Sequence, residues 1–277
     1  MLKIGSINKL KVKRVTGDEY TFTSGTDDIP LVRAPKGLNI EAGEELDVFV
    51  FTDKKGKATA TLKTPYAVAN EFACLTAIDS NDFGTFLDWG IEVDLFVHQK
   101  EQASPMKKGK KHVVFIRIDD HTKRIQGSTY LDQYFETDTS DLRNGESVSL
   151  MIYAITEIGI MAVVNKRYSG MLYINECFEK LAIGDIRDGY IKKVREDGRI
   201  DLTLQPHIVE TITNSKDTII EKLKEAGGFL PFNDKSNPEE IKKMFSMSKK
   251  NFKKALGGLY KDRKIHIAEN GISLTRE

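Results

Sequence analysis

Cysteine is scarce in this chain: two among 277 residues, Cys74 and Cys177, far apart and each in apolar surroundings. That excludes a disulfide-stapled scaffold and any Cys-x-x-Cys centre, and it leaves reduced, buried thiols of the kind the cytoplasm maintains. Histidine is sparse too. Its five positions (98, 112, 121, 207 and 266) contain no His-x-x-x-His pair, and neither Gly-x-Ser-x-Gly nor a Gly-x-x-x-x-Gly-Lys phosphate loop occurs. Acidic pairs are present, Asp27-Asp28 and Asp119-Asp120, but at expected turns. A metal-dependent nuclease would need further carboxylates converging on one of them. No run of apolar residues approaches a membrane span, and the start Met-Leu-Lys-Ile-Gly-Ser has no long apolar leader segment. The expectation is a cytoplasmic protein that is not an enzyme, without metal, cofactor or membrane partner.

A strong charge of either sign is also missing. Forty-two Lys and Arg face 41 Asp and Glu, a net charge of +1, which argues against a massively basic coat for duplex nucleic acid. The balance is uneven along the chain, however: residues 206–277 carry fourteen basic residues against ten acidic ones.

What the chain does have is a repeated β unit. Gly43 precedes alternating Leu46, Val48 and Val50, then Asp53-Lys54-Lys55-Gly56 and a second short apolar run to Leu62. Gly109 precedes Val113, Phe115 and Ile118, then Asp119-Asp120 and Arg124-Ile125. A looser version runs from Gly184 through Ile191 and Val194 to Glu196-Asp197-Gly198-Arg199 and Ile200–Leu204. Each unit opens on a period-two strand: Ile4 to Val15, Phe72 to Asp79, Val148 to Thr156. The copies lie roughly seventy residues apart, the size of a small five-stranded barrel. Three all-β barrels are therefore expected over 1–62, 63–133 and 134–205.

The pattern changes at Gln205-Pro206. Ile219, Ile220, Leu223 and Ala226 share a helical face ended by Gly227-Gly228, and Asn237-Pro238-Glu239-Glu240 is a capped helix start. Ser248 caps a third helix with Phe252, Ala255, Leu256 and Leu259 on one side. Ile265 and Ile267 then alternate up to Asn270-Gly271, a hairpin turn signal, and Ile272 and Leu274 alternate back. Helix, helix, helix, hairpin over 206–277 is the order of an α+β winged helix, with Gly257-Gly258 expected to fray the third helix.

Aromatic residues concentrate in Asp82–His98. Phe96 and His98 are two apart and share a strand face. Phe83 and Phe86 are three apart, and a bulge at Gly84 would bring them to one face. Such rings serve either as core packing or as a platform on which unpaired bases stack. Trp89, at the turn, is expected to close a barrel end. Lys107, Lys108, Lys110 and Lys111 surround Gly109 in a basic loop, and Arg117 and Arg124 follow within the same barrel. Lys249, Lys250, Lys253 and Lys254 form two rows on the polar side of the third helix, continued by Lys261, Arg263 and Lys264. Both runs are either solvated faces or phosphate contacts. No arginine–asparagine cluster suited to reading base edges is present.

Phe83-Gly84-Thr85-Phe86, with the later Lys108-Gly109, resembles the ribosomal S-one RNA-binding domain, and Asp94–His98 is similar to the second RNA-binding strand of cold-shock proteins. Three such oligonucleotide-binding barrels followed by a winged helix resemble the conserved virulence factor B family along essentially the whole chain. The resemblance implies RNA binding, post-transcriptional regulation and no catalytic centre, with Phe83, Phe86, Phe96 and His98 facing the nucleic acid. Barrel three departs from the pattern, with Ile158-Gly159-Ile160-Met161 and Gly170-Met171-Leu172-Tyr173; Tyr168 and Tyr173 are its available substitutes. Barrel one offers Tyr20 and Phe22. The expected partner is single-stranded RNA. The alternatives are duplex DNA, read by the winged helix of a transcription regulator, or ribonuclease and ribosome components gathered on a scaffold.

Overall fold

The computed structural model describes residues 2–53, 55–177 and 180–275, and of residues 175 and 206–214 the backbone alone. Lys54 and the side chain of His207 lie outside the described residues. Strands β1 (Ser6–Thr16), β2 (Glu19–Thr23), β3 (Asp28–Pro30), β4 (Glu45–Thr52) and β5 (Ala58–Thr61) form a sheet ordered β3-β2-β1-β4-β5. A parallel bridge from Leu31 to Ala60 brings its edges together. The next five strands close fully: β6 (Phe72–Asn81), β7 (Gly84–Leu87), β8 (Leu95–His98), β9 (Lys111–Ile118) and β10 (Ile125–Ser128). So do β11 (Ser147–Ile155), β12 (Gly159–Val164), β13 (Tyr168–Tyr173), β14 (Ile186–Val194) and β15 (Ile200–Thr203).

The repeat seen in the sequence has a backbone cause. Gly43, Gly109 and Gly184 adopt φ of +103°, +76° and +88°, values open to glycine without a Cβ penalty. Their N–H groups donate to the carbonyls of Val12, Ala77 and Ile152. Each of those three residues stands immediately before a register shift in the first strand of its barrel. One glycine thus clips the entry of the fourth strand onto the bulge that bends the first, and a bent strand is what lets so small a sheet curl. The acidic residues ten positions on close turns. Asp53 accepts the N–H groups of Lys57 and Lys55 at 2.9 and 2.8 Å, and Asp119 accepts the Thr122 N–H and hydroxyl, each at 2.7 Å. These donors hold both carboxyls below the usual carboxylate range.

Barrels one and two and the first three strands of barrel three belong to one compact unit; the last two strands and the winged helix belong to another. Within the first unit the barrels share cores. Trp89 is 2% exposed, donates its indole N–H to Ala67 O at 2.8 Å and meets Phe49 of β4 edge-on at 5.3 Å. It does close the end of barrel two, and barrel one is what covers it there. On another face Phe115 stacks on Tyr134 at 4.0 Å, Phe72 on Phe135 at 4.8 Å, and Phe135 meets Tyr153 of β11 at 5.6 Å.

Two sets of expected platform rings are core residues instead. Tyr20 and Phe22 alternate inward on β2 with Leu10 and Val12, and Tyr168 is buried on β13. The period-two pattern places Tyr20 and Phe22 on one face, as expected, but that face is the interior. Cys74 and Cys177 are not joined in a disulfide, and each is half-buried rather than buried.

The winged helix comprises α1 (Pro206–Glu225), β16 (Phe229–Leu230), α2 (Pro238–Phe245), α3 (Lys249–Lys261), β17 (Ile265–Ala268) and β18 (Gly271–Leu274). Gly228 N–H reaches Leu223 O and Gly227 N–H reaches Lys224 O, the paired bonds that terminate a helix through left-handed glycines. Asn237 and Ser248 cap α2 and α3 by accepting the N–H groups of Glu239 and Asn251. Strand β16, which has no signature in the sequence, adds to the hairpin to give the order β16-β18-β17. The hairpin closes at Ala268 and Gly271, so Glu269-Asn270 forms the turn and Gly271 opens the returning strand. Helix α3 does not fray at its glycines and runs on to Lys261. A Cβ on Gly258 would collide with Lys216, whose ammonium bonds Asp262 at 2.7 Å.

Candidate nucleic-acid interface

Strands β7 and β8 pair with Phe86 opposite Phe96 and Gly84 opposite His98. Leu87, Leu95 and Val97 alternate inward and are buried, so the intervening residues point outward by the pleat alone. Phe86 and Phe96 lie 5.1 Å apart and tilted by 45°, and His98 stands edge-on to Phe96 at 6.1 Å. The Lys100 N–H donates to His98 Nδ1 at 3.1 Å. That bond places the proton of the neutral ring on Nε2, pointing away from the strand's own turn.

Gly84 is not bulged. The register shift lies across from β7, between Ala77 and Asp79 of β6. What Gly84 provides is a close approach: a Cβ there would collide with Val97 O and with the Phe96 ring. Phe83 consequently sits on the turn rather than in the strand. Its N–H and that of Gly84 donate to Asn81 Oδ1 at 2.9 and 3.1 Å, and its carbonyl accepts from Gln99 N–H at 2.8 Å. The ring is 70% exposed, at the same end of the row as His98.

The row extends across the barrel. Asp79 is opposite Phe86, Gln126 beside Phe96, and Arg117 opposite Gln126. Arg117 therefore shares the aromatic face, but its guanidinium is held by Glu101 at 2.8 Å and Asp119 at 3.4 Å. Its charge is thus already paired within barrel two. Arg124 is exposed, in the turn two residues before Gln126. Lys107, Lys108, Lys110 and Lys111 are all exposed. Their loop is clipped to β6 through Gly109 N–H to Ala77 O, and Lys108 lies 3.6 Å from Asp79, beside the aromatic row. Barrel three repeats this register with other chemistry. Gly159 pairs with Tyr173, Met161 with Met171, and a Cβ on Gly159 would collide with Met171.

In the second unit the α3 lysines separate into two rows. Lys249 donates to Lys235 O at 3.3 Å and Lys253 lies 3.9 Å from Asp234, so this row is tied to the loop before α2. Lys253 also borders, with Lys254 and Lys261, a cleft of about 740 Å³ lined by Lys192 and Lys193 of β14 and by Gly257 and Gly258. Lys192 bonds Glu176 at 2.6 Å. Lys193, Lys254 and Lys261 have no ion-pair partner among the described residues. Sequence reasoning missed Lys192 and Lys193 because residues 134–205 carry nine basic residues against twelve acidic ones, and that acidic balance masked them. Lys250, Arg263 and Lys264 are exposed outside this cleft. Among the described residues no group of three or more His, Cys, Asp or Glu is arranged to hold a metal, and no helix is long and apolar enough to cross a membrane.

Comparison with known proteins agrees with this architecture. Residues 4–63 match the S1 domain and residues 217–274 the CvfB-like winged helix domain. An uncharacterized Bacillus subtilis protein, YitL, is 27% identical over 95% of this chain and 90% of its own. Conserved virulence factor B of Staphylococcus epidermidis is 27% identical over 99% of this chain and 95% of its own, and that of Staphylococcus aureus 25% identical over the same shares. A solved multidomain protein with nucleic acid binding domains from Streptococcus pneumoniae is 24% identical, with a TM-score of 0.44 over 98% of each chain. With an S1 domain match in its first barrel, a CvfB-like winged helix domain match at its other end and alignment over nearly its full length, the chain is similar to the conserved virulence factor B proteins.

Proposed function

We propose that the protein is a non-catalytic, single-stranded RNA-binding regulator that acts after transcription. The observation that carries this is the open row of Phe86, Phe96 and His98 on barrel two, with Phe83 at its end. Rings set outward on a sheet accept any base face, and each stacked base contributes about 1–3 kcal/mol. Lys107, Lys108, Lys110 and Lys111 supply backbone contacts beside that row. Lys193, Lys254 and Lys261 offer a second set, so one strand held at two places would gain avidity. The staphylococcal relatives bear the name conserved virulence factor B, which supports a part in virulence.

The test is a titration of the full chain with a single-stranded oligonucleotide RNA and with duplex DNA of equal length, at two salt concentrations. Tighter binding to the single strand, weakened by salt and by Phe86→Ala, is expected. Preference for the duplex would move the protein to the transcription-regulator alternative, in which the exposed lysines of α3 do the binding.

A further inference from the structure

The three-stranded sheet of the wing repeats the local arrangement of the barrel-two platform. In barrel two, Gly84 lies beneath the ring of Phe96 and against the carbonyl of Val97, the next residue, and pairs with His98, the one after. In the wing, Gly271 lies beneath the ring of Phe229 and against the carbonyl of Leu230, at φ +152°. The register of β16 on β18 sets Phe229 opposite Ser273 and Leu230 opposite Ile272. Leu230 and Ile272 are buried, so the alternate residues face outward. Phe229 is 43% exposed, too open for a ring whose purpose is to fill a core.

Ser273 pairs on its other side with His266. Phe229, Ser273 and His266 thus form one row across the sheet, a ring and an imidazole separated by a small hydroxyl residue. Two strand spacings, about 10 Å, separate the ends of this row, which leaves an open floor over Ser273. Lys264 is two residues from His266 and shares its face, with its carbonyl accepting the Thr275 N–H at 3.1 Å. Arg263 and Lys264 are exposed and have no ion-pair partner among the described residues.

We propose that the outer face of the wing is a second single-strand stacking site, at which an unpaired RNA base seats over Ser273 between Phe229 and His266 while Arg263 and Lys264 hold the adjoining phosphates. The positive flank, together with a ring raised on glycine as in barrel two, favours RNA over an apolar protein segment. The site presupposes the RNA-binding reading above.

The experiment titrates the full chain with a fluorescein-labelled 12-nucleotide oligouridylate, comparing wild type, Phe229→Leu, His266→Ala, the double variant and Phe86→Ala. Leucine keeps apolar bulk on the sheet while removing the ring, and thermal melting confirms folding. The double variant is expected to bind roughly tenfold more weakly, the loss of one stacked base, with an unchanged salt slope. Wild-type affinity in the double variant, with Phe86→Ala still weakened, overturns the wing site and leaves the RNA-binding reading standing. Failure of the wild type to bind overturns both. Cross-linking with 4-thiouridine provides a second readout: an adduct on the β16 or β17 peptide supports the site, and adducts confined to the barrels overturn it.

Discussion

Gly84 lies beneath the ring of Phe96, close enough that a single added carbon would strike both that ring and the Val97 carbonyl. The platform and the fold of β7 are therefore coupled. Gly84→Ala is expected to destabilise barrel two by about 1–3 kcal/mol, the usual scale of overpacking, and to weaken RNA binding with it. Urea unfolding alongside a binding titration checks both.

Phe86 and Phe96 are only half-buried, and neither belongs to a barrel core. Phe86→Ala and Phe96→Ala are expected to melt near the wild type and to lose roughly tenfold or more in single-strand affinity, from the stacking energy of about 1–3 kcal/mol per base. Fluorescence anisotropy against homopolymer RNA measures this. Unaltered affinity in the double variant would remove barrel two as the stacking site.

Replacing Lys107, Lys108, Lys110 and Lys111 by alanine probes charge rather than stacking. The ion pair of Lys108 with Asp79, at 3.6 Å, is exposed on both sides and contributes little to stability. The expected result is a salt dependence shallower by about 0.7 in log K against log salt for each phosphate left unneutralised. A parallel line at lower affinity would assign those lysines no phosphate.

Trp89 joins two barrels through its bond to Ala67 and its edge contact with Phe49. Trp89→Phe keeps much of the apolar volume but leaves the buried Ala67 carbonyl unpaired, at a cost of about 1–3 kcal/mol. Denaturant unfolding should show the loss, with the platform's RNA affinity retained at temperatures well below the melt.

Burial lowers the proton affinity of His112 below that of a free imidazole. The unfolded chain then binds the proton more readily than the folded one, so the stability His112 contributes is full above pH about 6.5 and declines as pH falls below it. His112→Gln should flatten the stability profile between neutral and mildly acidic pH, as read by melting temperature across a buffer series. An identical slope in the variant would assign the acid sensitivity elsewhere.

Much of this architecture is legible in the sequence because it is written in short-range rules. Glycine before each fourth strand, acidic residues at the turns that follow, Asn237 and Ser248 as caps and the apolar side of α3 are all decided within a few residues of themselves. Strand β16 is not legible, because two residues carry no period; only pairing with β18 makes them a strand. Local rules point to a bulge at Gly84, the most permissive residue, whereas the extra residue lies across the ladder in β6. A glycine that makes room for a neighbour looks the same in sequence as one that bends a strand.

The candidate sites divide in the same way. Sequence alone determined that Phe96 and His98 share a face, since alternation along a strand is a local property, and it determined where the lysine runs lie. Only the tertiary structure decided which faces are open. Tyr20, Phe22 and Tyr168 follow the same alternation yet turn inward, and Arg117 reaches the right face already held by Glu101 and Asp119. Lys192 and Lys193 join Lys254 and Lys261 only because β14 and α3 line one cleft. Periodicity assigns a side chain to one of two faces, but burial and charge pairing depend on what the rest of the chain brings against that face.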